Sequence, residues 1–210
     1  VPMGNLGRWF RTDRDSFIRN KRSYLKACPK ETKKRRQKYQ ELSKGRMLVG
    51  ISWKSAGPDQ SWSKSKSTLL EYWTPVLSQP DCYFINLQYG DVESELTRFE
   101  SDTNLNIYQD HEINPLVNLD DFAAQISALD LVISTSSTTV HMAGALGKRV
   151  WTLLPHIPDW RWMLGREEAV WYPTMRLFRQ HRIGDWQDVF QRVSHALSQF
   201  GLDTSSTFTV

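Results

Sequence analysis

Residues Leu131–Pro155, LVISTSSTTVHMAGALGKRVWTLLP, constrain this chain more than any other stretch. An apolar run, LVIS, enters a hydroxyl cluster, Ser134–Thr139. A helix is expected from about Thr138 to Gly147, and a second apolar strand, Val150–Leu154, stops at Pro155. Strand, hydroxyl-rich turn, helix and strand make a βαβ unit, which belongs in a parallel sheet. The first amides of a helix lack intrahelical partners and can bind an anion. One helix cap needs one hydroxyl. Here Thr135, Ser136, Ser137, Thr138 and Thr139 run consecutively, so the turn reads as a capped helix or as a phosphate cradle.

The same alternation extends over most of the chain. After Pro29, the run Lys30–Ser43 reads as a helix ended by Gly45. Met47–Trp53, Cys82–Leu87 and Leu105–Tyr108 read as buried strands by their apolar and β-branched content. Between them, Lys54–Ser67 reads as a Gly/Pro/Ser-rich loop. Thr68–Leu77 reads as a helix with Leu69, Leu70, Trp73, Val76 and Leu77 inward, distorted at Pro75. Asp91–Phe99, capped by Asp91, and Leu119–Leu129, capped by Asp120, are the next helices. Pro155–Asp185 has no period but is rich in Trp. Trp186–Phe200 is a closing helix, and Leu202–Val210 a loose tail.

Five strands alternating with helices predict an α/β fold: a doubly wound Rossmann-like parallel sheet of five or six strands. The usual order, third-second-first-fourth-fifth, puts the first and fourth strands side by side at the switch point. Ligands bind there, beyond the strand ends, which here carry Ser52–Gly57 and Ser134–Thr139. One loop brings Lys54 and a Gly, the other a helix N-terminus. The expected organisation is a basic, partly helical linker or remnant of a preceding half over 1–46, the Rossmann-like ligand-binding domain over 47–200 and the tail over 201–210.

Charge narrows the function. Residues 1–46 hold 15 Lys/Arg against 4 Asp/Glu, whereas residues 47–210 hold 12 against 19. The body is therefore acidic, and a nucleic-acid binder needs a basic face on the folded body. The basic run of Lys30–Ser43 reads first as a solvated helix face. Cys28 and Cys82 form no redox or metal motif, which makes a reduced, cytoplasmic setting the default. No apolar run reaches the ~20 residues of a membrane span. VPMGNLGRWFR lacks the apolar core of a signal peptide. A chain beginning at Val1 is expected to be a fragment or a processed product.

Common catalytic motifs are absent. No GxGxxG follows the first strand, no GxxxxGK[ST] is present, and GISWKSAG is not a nucleophile elbow. The histidines, at 111, 141, 156, 181 and 195, lack metal-ligand spacing, so no metal is expected. A site for a phosphorylated ligand without a nucleophile remains. A nucleotide-sugar fits, because amides, hydroxyls and a Lys can stabilise a leaving diphosphate.

GISWKSAG, KSKSTLLEYWTPVLS, NLQYG, LDDFAAQISALDLVISTSSTTVHMAGALGKRVWTLLP, PDWRWML and WYPTMRLFRQ together resemble the C-terminal half of bacterial GT-B glycosyltransferases. The likeness is to heptosyltransferase-like family 9 proteins and to related modules behind tetratricopeptide repeats, over roughly residues 20 to 200. The turn departs from the Asp-Thr-Gly type usual in family 9.

The resemblance implies that Ser52 and Lys54 face the diphosphate of a nucleoside diphosphate-sugar. It further implies that Ser136, Ser137, Thr138 and Thr139 hold that group with helix amides and that His141 sits one turn in. Gln88, within Leu87–Tyr89, lies near the nucleoside, and Lys64 and Lys66 support the first loop. Arg161 is a weaker ligand candidate. Asp159 reads as a cap or an Arg partner before a base, and Trp160 or Trp162 as a core aromatic. A GT-B enzyme's acceptor half usually carries the catalytic base. The implied partners are a nucleotide-sugar, an unknown acceptor, and an N-terminal acceptor domain or repeat region. The competing readings are a nucleotide-sugar epimerase-like enzyme and a non-enzymatic module with a basic helix.

Overall fold

The computed structural model describes residues 6–13, 15–18, 23–56 and 59–205. Two single turns, α1 (Gly7–Phe10) and α2 (Asp15–Ile18), precede the helix α3 (Pro29–Ser43). Pro29 occupies its first turn, where a missing N–H costs nothing. Lys44 and Gly45, both at positive φ, end it. The strand β1 (Met47–Ser52) follows, then α4 (Gln60–Lys66), a 3₁₀ turn over Leu70–Trp73, α5 (Thr74–Leu77) and β2 (Cys82–Asn86). Next come α6 (Glu93–Thr103), α7 (Leu119–Ser127), β3 (Leu131–Thr135), α8 (Thr138–Ala145) and β4 (Val150–Leu154). A 3₁₀ turn at Trp160–Trp162, β5 (Met175–Arg179) and α9 (Trp186–Ser205) complete the chain.

The sheet is wholly parallel in the order β2-β1-β3-β4-β5. Its two central strands, β1 and β3, are buried over nearly their whole length, as strands covered by helices on both faces must be. The expected strand order holds with two changes. Leu105–Tyr108 shrinks to a single parallel bridge, Ile85 to Tyr108, outside β2. The fifth strand of the sheet, β5, comes from the Trp-rich segment without period.

Several local expectations are corrected. Gln60–Lys66 is helical rather than loop, because the Asp59 carboxylate caps it by accepting from the Trp62 amide at 3.0 Å. Thr68–Leu77 is not one helix. Pro75 cannot donate within a helix, so a new turn starts around it. Leu69, expected inward, is 60% exposed. Asp91 lies outside α6, whose cap position is Val92, and among the described residues accepts only the Glu93 amide, at 3.3 Å. Asn118, not Asp120, caps α7, leaving Asp120 and Asp121 in the first turn, where the helix dipole favours acids. The tail is helical as far as Ser205. Residues 206–210 and Gly57 lie outside the described residues.

The helix α3 packs onto the body. Tyr39 and Arg35 are buried, and the Tyr39 hydroxyl donates to Asp110 at 2.6 Å. Lys38 pairs with Asp110 and Glu112 at 3.0 and 3.1 Å, Arg35 with Glu112, and Arg36 with Asp130 at 2.6 Å. The basic run is therefore not simply a solvated face. Lys30, Lys33 and Lys34 point to solvent, while Arg35, Arg36 and Lys38 bind acids of the body. Among the described residues no helix is long and apolar enough to cross a membrane.

Candidate functional site

Register places Ser52 at the end of β1 beside Ser134 of β3, so the two hydroxyl-bearing loops start from adjacent strand ends. On the β3 side, Ser137 is the cap residue of α8, its Oγ accepting the Thr139 amide at 3.3 Å. Ser134 Oγ donates to the Thr135 carbonyl at 2.9 Å and lies 3.4 Å from Ser137 Oγ. Thr138 is exposed at the mouth of the turn. Thr135 and Thr139 are fully buried, and their hydroxyls have no protein partner among the described residues.

On the β1 side, one side chain organises the loop. Gln88 Oε1 accepts from Ser52 Oγ and from the amides of Trp53 and Lys54, at 3.0, 3.0 and 2.7 Å. Its Nε2 donates to the Tyr89 carbonyl at 3.2 Å. Ser52 and Gln88 thus bond each other and shape the loop from beneath. Lys54 Nζ pairs with Glu95 of α6. With Lys64, Tyr72, Tyr89 and Trp186, Lys54 lines a cavity of about 750 Å³.

The third wall is the turn Asp159–Trp162. Asp159 caps it, accepting the Arg161 amide at 3.1 Å, and pairs with the Arg161 guanidinium at 2.8 Å. Trp160 is exposed and Trp162 buried. The Trp162 indole N–H donates to Ser136 Oγ at 2.9 Å. His141 lies flat on Trp162, with centroids 5.2 Å apart and planes 13° from parallel, and its Nδ1 is 3.1 Å from the Tyr172 hydroxyl. Burial, reinforced by the positive field of Arg161 and Lys66 against the opposing field of Asp159, pushes the His141 pKa down to about 4. His141 is therefore neutral at pH 7. Burial also lowers the Lys66 pKa, with Asp159 opposing it and Arg161 adding to it.

The expected residues divide between two places. Ser136, Ser137, Thr138, Thr139, His141, Lys66, Asp159 and Arg161 gather around the start of α8. Lys54, Lys64 and Gln88 line the neighbouring cavity, and Ser52 is hydrogen-bonded to Gln88. Sequence reading missed Tyr172 as the partner of His141 and Trp162 as the partner of Ser136. The aromatic density of PDWRW and WYP was the available signal. Chemically, the first cluster offers helix amides, an exposed hydroxyl, Lys66 and an Arg161–Asp159 ion pair, a set that can hold an anion.

The fold is that of a Rossmann-like α/β protein of the kind that forms one half of GT-B glycosyltransferases. It is similar to ADP-heptose lipopolysaccharide heptosyltransferase II of E. coli, with a TM-score of 0.59 and 16% identity over 86% of this chain and 54% of that one. It is also similar to a family 9 glycosyl transferase of Veillonella parvula DSM 2008, with a TM-score of 0.51 and 10% identity over 89% and 46% of the two chains. In sequence, it is 37% identical over 152 residues to protein FlbA of Caulobacter vibrioides, covering 72% of this chain and 25% of that protein. The chain thus spans about half the length of these structures and about a quarter of FlbA. No protein-family model matches it.

Proposed function

We propose that this chain is the donor-binding half of a glycosyltransferase, holding a nucleoside diphosphate-sugar while a sugar passes to an acceptor bound elsewhere. The observation that carries the reading is the start of α8, where Ser137 caps the helix, Thr138 is exposed, and Lys66 and the Arg161–Asp159 ion pair lie within electrostatic reach of His141 one turn in. Charge developing on a leaving diphosphate would meet preorganised amides, the Thr138 hydroxyl and Lys66, with Arg161 available as it exchanges its Asp159 partner for the diphosphate. In this reading the reaction is inverting and metal-independent, the protein is cytoplasmic, and the base comes from an acceptor-binding half or repeat region of a longer protein.

An epimerase-like enzyme would need a free acid and base in the crevice. Of the two candidates, Asp159 is paired with Arg161 at 2.8 Å, which leaves His141 Nε2 without that second group. A nucleic-acid module built on the basic helix is disfavoured because Arg35, Arg36 and Lys38 are spent on internal pairs.

Calorimetry with uridine, adenosine and guanosine diphosphates and their sugars, in the absence of Mg²⁺, tests the reading. Binding at millimolar or better affinity is expected, weakened in Lys66→Ala and Thr138→Val. A folded chain that binds none of them rejects it.

A further inference from the structure

We infer that the cavity beside Lys54 is a second ligand site, separate from the start of α8, and that it takes an uncharged planar ring. This site stands whether or not the start of α8 holds a donor. If it does, the ring belongs to a second molecule and the two sites fill together.

The fold keeps the two places apart. Successive side chains of β1 point to opposite faces of the sheet, Leu48 into one core, Val49 and Ile51 into the other. Val140 and Ala143 of α8 belong to the core of Leu48. Val92 and Trp186, which line the cavity, belong to the core of Val49 and Ile51. The cavity therefore lies toward the face of the sheet away from α8, beyond the ends of β1 and β2.

Its walls suit a ring. The volume of about 750 Å³ is that of a small-molecule site, and Tyr72, Tyr89 and Trp186 present aromatic surface to it. These rings are fixed in advance. Tyr72 stacks on Phe190, with planes 6° from parallel and centroids 6.2 Å apart. The Tyr89 hydroxyl accepts the Ala56 amide at 2.8 Å, and Trp186 is buried. Walls already in place spare a ligand the cost of ordering them. Tyr72 and Leu69 nonetheless keep 38% and 60% of their surface exposed, so apolar area remains to be covered. The proton of the Tyr89 hydroxyl has no acceptor among the described residues and can meet a polar atom on the edge of a ring.

The charges cancel. Lys54 is paired with Glu95, and Lys64 and Asp91, both exposed, add one charge of each sign. An anion gains little from such a set, whereas an uncharged ring gains stacking without the desolvation of a charge.

Phenyl β-glucoside is an uncharged probe and phenyl phosphate its charged counterpart. Spectra of the chain with ¹⁵N-labelled tryptophan, with the Trp186 indole assigned through Trp186→Phe, follow both titrations. The glucoside should shift the Trp186 signal saturably and bind more tightly than the phosphate. Tyr72→Ala should weaken it roughly five-fold, the effect of one aromatic contact. Leu69→Asp, at an exposed position, should also weaken it and serves as the second variant should Tyr72→Ala not fold. Saturating adenosine or uridine diphosphate should leave the glucoside bound. An unmoved Trp186 signal, equal binding by the folded variants, preference for the phosphate, or displacement by a diphosphate overturns the proposal. Glucoside binding in a chain that binds no nucleoside diphosphate upholds this site and rejects the donor reading alone.

Discussion

The indole nitrogen of Trp162 donates to the hydroxyl of Ser136 across 2.9 Å, with both side chains buried. This bond ties the turn that follows β4 to the turn that precedes α8. It also sets the indole plane on which His141 lies.

Truncating Ser136 leaves that indole N–H without its acceptor in a buried place. Ser136→Ala should therefore destabilise by about 1–3 kcal/mol, the cost of an orphaned buried donor. The double variant Ser136→Ala/Trp162→Phe should lose less than the sum of the single changes. Urea unfolding of the three variants measures this. Additive losses mean the bond contributes nothing of its own.

Gly144 lies where α8 meets Tyr172. A Cβ added there would come within 2.5 Å of the tyrosine Cγ and 3.0 Å of its Cβ, and the Cβ cannot move without the backbone. Overpacking costs about 1–3 kcal/mol, while glycine replacement in a helix returns up to about 1 kcal/mol. Gly144→Ala should therefore be net destabilising and lower the melting temperature by roughly 2–4 °C per kcal/mol lost. A melting temperature at or above that of the wild type would show that Tyr172 is loosely held.

Tyr39 donates to Asp110, a carboxylate whose side chain is 1% exposed. Tyr39→Phe removes a hydrogen bond to a charged group and should cost about 1.5–3 kcal/mol. Arg35 and Lys38 remain near the same carboxylate, at 3.6 and 3.0 Å, which keeps the loss toward the lower end. Chemical denaturation decides it, and an unchanged midpoint would show that the two cations suffice.

The His141 pKa lies below its unfolded value, so below that value the unfolded chain binds the extra proton first. Stability should be complete above about pH 6.5 and decline as pH falls toward about 4, by on the order of 3 kcal/mol at most. His141→Gln should lack this component. The difference between the two stability–pH curves isolates it from the acids that titrate nearby, and parallel curves would contradict the half-buried, neutral ring.

Much of the fold could be read from residue pattern alone. The apolar runs MLVGIS, CYFIN, LVIST and VWTLL are strands, and their order follows from general rules of handedness and connection. β5 was missed because MRLFR is short and carries two arginines, one of them exposed. The helix α4 was missed because its sequence, QSWSKSK, has almost no apolar face. It is held by the Asp59 cap, and none of its side chains is buried.

The sequence alone determined the parallel α/β sheet, the neighbouring ends of β1 and β3, and the hydroxyl turn beyond β3. Those features follow from local periodicity and chain connectivity. Only the tertiary structure decided which side chains face which. Ser52 meets Gln88 from 36 residues away, Lys54 meets Glu95 from 41, and Ser136 meets Trp162 from 26. Such pairings depend on the twist of the sheet and the crossing of loops over its edge. A one-dimensional pattern of apolar and polar residues carries no record of that geometry.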